Sequence, residues 1–85
     1  MLEELRANIN QIDDELARLF VERMYTAAEV AQYKRDHGLP VFQPEREREV
    51  LARLTEGQPE DIAHCIAQLY EAIFAISKNY QKDRL

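Results

Sequence analysis

Arg23 and Lys34 are cations set in the apolar row of a long amphipathic segment, and a charge in such a row calls for an anionic partner. Leu5, Ile9, Ile12, Leu16 and Leu19 recur at steps of four and three, and the same rhythm continues through Arg23, Thr26 or Ala27, Val30 and Lys34. Arg23 and Lys34 are eleven residues apart, which at ~100° per residue returns to within about 20° of one helix face and separates the backbone positions by roughly 16 Å. Ala27, Val30 and Ala31 lie between them, so small apolar side chains flanked by two cations describe one wall of a pocket for a compact dianion. Later in the chain Tyr70, Phe74, Ser77 and Gln81 follow steps of four, three and four. That row ends in a hydroxyl and an amide, which are able to complete such a pocket. Arg46 and Glu47 stand in the first turn of a shorter segment, where free backbone amides favour an anion or a hydroxyl acceptor.

The elements that must carry these side chains are helices. Helical periodicity runs from Leu2 to Asp36 and ends with Lys34 and Arg35 in the last turn, then Gly38 and Pro40. His37 to Gln43 read as a short loop. Pro44 opens a second helix with Val50, Leu51 and Leu54 on its apolar face, and Gly57 and Pro59 punctuate its end. A third helix is predicted from Pro59 or Glu60 to Gln81, with Ile62, Ile66, Leu69, Ile73 and Ile76 as its main stripe. Strand signals, internal repeats and linkers are absent from the pattern. The predicted fold is all-α, with one very long, one short and one medium helix in a single domain spanning residues 1–85.

The long helix has a further implication, because 35 residues from Leu2 to Asp36 span about 52 Å at ~1.5 Å each. A domain of this size has a radius of gyration of only ~12 Å, so the helix calls for cover by a second chain, as in an intertwined homodimer. Arg6 fits that arrangement. It lies seventeen residues before Arg23, roughly 25 Å along the axis and about 100° around it, out of easy reach of its own Arg23 but within the compass of an antiparallel partner.

Composition excludes several classes of function. Eleven basic against sixteen acidic residues give a net charge of −5, which disfavours binding to a nucleic-acid backbone. No run approaches the ~20 apolar residues of a membrane span. The single Cys65 cannot form an internal disulfide, and the segment at Met1 lacks the basic and apolar regions of a secretory signal, so the expected location is the cytoplasm. Cys65 reads as core or boundary packing, and His37 and His64 have no neighbours that would make a histidine-based catalyst or a metal site.

With these features in place, the sequence resembles the all-helical chorismate mutases, the AroQ class, over nearly its whole length. The match is carried by LEELR at 2–6, ID at 12–13, LARLFVER at 16–23, AAEVAQYK at 27–34, PV at 40–41, RERE at 46–49, VLARL at 50–54, and S-x-x-x-Q ending at Gln81. The resemblance implies a homodimeric isomerase that converts chorismate to prephenate, in phenylalanine and tyrosine biosynthesis on the shikimate pathway, with no cofactor and no metal. It also implies that Arg6 of the partner chain and Arg23 hold substrate carboxylates, and that Lys34 and Gln81 donate to the enolpyruvyl ether oxygen. Glu47 would accept from the ring hydroxyl, with Arg46 near it and Ser77 at a carboxylate. Where the family often carries an acidic residue after the PV-x element, this chain has Gln43, whose carbonyl oxygen can still accept a hydrogen bond. Two rival readings are an isochorismate pyruvate-lyase on the same fold and a non-catalytic helical dimerisation module. Both a stand-alone enzyme and a piece of a bifunctional protein resemble the sequence equally.

Overall fold

Gly38 and Pro44 set the turning points of the chain. In this computed structural model, which describes residues 1–84, α1 runs from Leu2 to Asp36, α2 from Pro44 to Thr55 and α3 from Glu60 to Arg84. Gly38 takes φ 66°, a left-handed conformation that costs glycine nothing sterically. Around it the Leu39 amide donates to the Lys34 carbonyl at 2.7 Å and the Gly38 amide to the Arg35 carbonyl at 3.1 Å. These are the two bonds of a Schellman motif, which satisfies the last carbonyls of α1 and reverses the chain. Gln43 caps α2 from an extended conformation, and Pro44 takes a first-turn position where its missing amide hydrogen is not needed. Gly57, at φ 75°, ends α2, and the Gln58 amide donates to the Thr55 carbonyl at 3.1 Å.

The expected all-helical class and three helices are borne out, and no strand occurs among the described residues. The third helix extends to Arg84, beyond the expected end at Gln81, since nothing in Lys82, Asp83 or Arg84 breaks a helix. No described helix is long and apolar enough to cross a membrane.

The chain divides into two compact units, Met1–Val30 and the residues from Ala31 onward, with the boundary inside α1. In the first unit Leu5, Ile9, Ile12, Leu16 and Leu19 are between 49% and 56% exposed, whereas Met24 is buried and Phe20, Arg23, Ala27 and Ala28 are half-buried. Arg18 pairs with Glu15 at 3.3 Å and Glu22 at 3.4 Å along the outside of the helix. The second unit has its core where α2 packs on α3, with Val50 and Phe74 buried and Leu51, Leu54, Ile66 and Ile73 half-buried. Tyr70 meets Phe74 edge to face, with ring centroids 5.8 Å apart.

Three packing expectations are corrected. On α3 the row Tyr70, Phe74, Ser77 and Gln81 is the more deeply buried one, while Ile62, Leu69 and Ile76 of the expected main stripe are exposed. On α1 Val30 is exposed and Ala31 buried, because adjacent residues lie about 100° apart and the buried face centres on Ala31. Cys65 is exposed, one position off the inward-facing Ile66.

Candidate active site

From Ala31 onward, Lys34 pairs with Gln43, Ser77 with Gln81, and Glu47 with a lysine not singled out from the sequence, Lys78. Lys34, in the last turn of α1, donates from Nζ to Gln43 Oε1 at 3.0 Å. The chain reversal at Gly38 makes this possible by carrying the loop back toward the end of α1. Gln43 makes no side-chain capping bond to α2, so its carbonyl oxygen serves Lys34 while its backbone carbonyl accepts from the Arg46 amide at 3.1 Å. An ammonium has three donors, and among the described residues Gln43 takes one of those on Lys34.

On α3 the buried Ser77 accepts at Oγ from Gln81 Nε2 at 3.2 Å, one helical turn away. The pairing satisfies a hydroxyl that would otherwise be costly to bury. It leaves Gln81 a second N–H, so the turn offers an amide donor next to a hydroxyl that can both donate and accept.

The third pair joins α2 to α3. Glu47 Oε2 lies 3.1 Å from Lys78 Nζ, with the glutamate side chain 29% exposed and the lysine side chain 44% exposed. Lys78 Nζ also stands 4.3 Å from the centre of the Phe42 ring, within cation–π range. Arg46 instead pairs along its own helix with Glu49 at 3.7 Å. A shallow concavity of about 360 Å³ in this region is lined by Pro40, Phe42, Gln43, Arg46 and Glu49 among others.

Arg6 and Arg23 belong to the first unit, Arg6 exposed and Arg23 half-buried. Lys78 and Phe42 are the site neighbours that sequence reasoning missed. A lysine immediately after Ser77 and an aromatic residue in the short loop before α2 were the available signals, but the pairing depends on how α2 crosses α3.

As chemistry, the second unit offers a cation held by an amide carbonyl, an amide donor beside a hydroxyl, and a carboxylate held by a second cation. Such a set suits recognition of an oxygen-rich anion by fixed hydrogen bonds. Among the described residues no group of three or more His, Cys, Asp or Glu side chains is placed to hold a metal ion.

Comparison with known proteins points the same way. The T-protein of Haemophilus influenzae is 40% identical over 63 residues, which are 73% of this chain and 17% of that protein. The chorismate mutase of Methanocaldococcus jannaschii is 38% identical over 53 residues, 62% of this chain and 54% of that protein. The chain thus matches about half or less of the length of these curated relatives. The structure of chorismate mutase (Form II) from Thermus thermophilus superposes with a TM-score of 0.86 at 30% identity, covering 95% of this chain and 93% of that one. The family model described as chorismate mutase type II matches residues 5–82, a span that takes in every pair described above together with Arg6 and Arg23. The chain belongs to the chorismate mutase type II family.

Proposed function

We propose that residues 1–85 act as one mutase domain that rearranges chorismate to prephenate in the cytoplasm. The observation that carries this reading is the family match across residues 5–82, which runs from Arg6 to Gln81 without leaving out a candidate site residue. The reaction is an intramolecular isomerisation. The ether C–O bond breaks as a C–C bond forms, so no co-reactant, proton donor or covalent intermediate is required.

The protein's task is then to select the compact substrate conformer and to stabilise charge on the ether oxygen. Arg23 and the Arg6 of a partner chain hold the carboxylates, and Ser77 assists at one of them. Lys34 and Gln81 donate to the ether oxygen, which gains negative charge as its bond lengthens, so their hydrogen bonds strengthen toward the transition state. Glu47 accepts from the ring hydroxyl, with Arg46 nearby, and Gln43 contributes a further acceptor. The dimer is supported by the half-exposed row Leu5, Ile9, Ile12, Leu16 and Leu19, since full burial of such a side chain contributes about 1.5–3 kcal/mol and covering the exposed half about half of that.

The deciding experiment is incubation of the purified chain with chorismate and, separately, with isochorismate, with prephenate and salicylate resolved chromatographically. Prephenate as the sole enzymatic product is expected. Turnover of isochorismate to salicylate and pyruvate in its place would assign the lyase reaction, and no turnover of either substrate would leave a helical dimerisation module.

A further inference from the structure

Lys78 is used by none of the roles above, yet its ammonium stands between the Glu47 carboxylate at 3.1 Å and the Phe42 ring at 4.3 Å. We propose that Lys78 is a positioning residue for Glu47, held in place by Phe42, and that it sets the affinity for the substrate hydroxyl. The proposal rests on the mutase reading, which makes Glu47 the acceptor of that hydroxyl.

Three observations support it. The pair links α2 to α3, whereas the pairs Arg18–Glu15, Arg18–Glu22, Arg46–Glu49 and Arg48–Glu45 each join residues three or four apart on a single helix. It therefore acts on the direction of Glu47 relative to α3, the helix that carries Ser77 and Gln81. Second, Lys78 meets Oε2 of the carboxylate. Fixing one oxygen fixes the plane of the group and so aims the lone pairs of the other at a hydroxyl donor. Third, a lysine side chain has four rotatable bonds and rarely orders an acceptor by itself. Here the Phe42 ring, itself 54% exposed on the loop before α2, limits where the ammonium can go.

A partly exposed ion pair contributes little to stability, so the consequence of losing Lys78 belongs to substrate binding. The hydroxyl sits on the ring carbon next to the ether carbon, but its own bonds neither form nor break in the rearrangement, so its contact with Glu47 is about equally strong in ground and transition states. Such a contact changes KM and leaves kcat largely alone.

The test is steady-state kinetics with chorismate on the full chain and on Lys78→Met, Lys78→Arg, Glu47→Ala and the Lys78→Met/Glu47→Ala pair, with thermal melting of each. Methionine keeps the stem and a favourable contact with the Phe42 ring while removing the charge. Lys78→Gln is a second neutral variant should Lys78→Met fold poorly. The expected result is a KM raised about tenfold in Lys78→Met with kcat within about twofold, near-parental KM in Lys78→Arg, and less than a twofold further change when Lys78→Met is added to Glu47→Ala. An unchanged KM in folded Lys78→Met and Lys78→Gln overturns the proposal. So does a tenfold loss that persists on top of Glu47→Ala, since Lys78 would then act on substrate without Glu47. If the parent chain itself forms no prephenate, the mutase reading fails and takes this proposal with it, an outcome visible before any variant is made.

Discussion

The two units of the chain differ in how much of an interior each contains. Between Met1 and Val30 the regular apolar row Leu5 to Leu19 is about half exposed, at 49–56%. From Ala31 onward Val50 and Phe74 are buried and the polar candidates Lys34, Glu47, Ser77 and Gln81 all have partners inside the unit. The contrast separates two kinds of information. One chain suffices to order the polar pairs of the second unit, whereas the Leu5–Leu19 row of the first unit, like the exposed Ile62, Leu69 and Ile76 of the second, is apolar surface that only a further surface could cover.

The largest effect that probes this contrast is expected at Lys34. It is a charged side chain held by a neutral acceptor, Gln43 Oε1, and in the mutase reading it faces the oxygen on which charge develops. Lys34→Ala should lower kcat/KM by about 10²–10³, the loss typical of removing one preorganised donor. Its melting temperature should change little because the side chain is only half-buried. Chorismate consumption followed alongside a thermal melt measures both. A loss below tenfold in the folded variant would mean that the second unit's polar pairs are structural only.

The first unit is probed next by Ile12→Asp, which places a carboxylate in the middle of the exposed row. If that row is the seam between two chains, the buried charge should weaken dimerisation by at least ~100-fold, and sedimentation at micromolar concentration should show a shift from two chains to one. Arg18→Ala supplies the comparison on the same helix. Among the described residues Arg18 bridges the exposed Glu15 and Glu22, so its removal should cost no more than about 1 kcal/mol and leave the assembly intact. Equal behaviour of the two variants would remove the apolar row from any interface.

These outcomes bear on what the sequence could say. The C-terminal end of α1 and the start of α2 were legible because Gly38 and Pro44 have backbone requirements of their own. The end of α3 was not, since no glycine or proline follows Pro59 to stop it. Periodicity also revealed two apolar rows on α3 but not their order of burial. Phe74 and Ser77 are buried while Leu69 and Ile76 are exposed, a choice made by the crossing of α2 rather than by the spacing. Among the site residues, types and spacing identified Lys34, Ser77 and Gln81. The partners of Lys34 and Glu47 escaped because Gln43 and Lys78 reach them across a loop and between helices, contacts with no sequence period.

Gln43 offers the smallest and most discriminating change. Its sequence position suggested a hydroxyl acceptor in place of the family's frequent acidic residue, yet its Oε1 accepts from Lys34 Nζ at 3.0 Å. A carbonyl oxygen has two lone pairs, so both roles are chemically compatible, and kinetics can separate them. Gln43→Ala removes no capping bond from α2, because the side chain makes none, and stability should stay within about 0.5 kcal/mol. If Gln43 acts by holding Lys34, kcat/KM should fall about threefold to tenfold, well short of the Lys34→Ala loss, since the charge survives and only its aim is relaxed. The same substitution should then add nothing in a Lys34→Ala background, because there is no ammonium left to hold. A loss that persists in that background would place Gln43 on the substrate itself, and the second unit would contain two acceptors for one hydroxyl, Gln43 and Glu47, with unequal charge and therefore unequal strength.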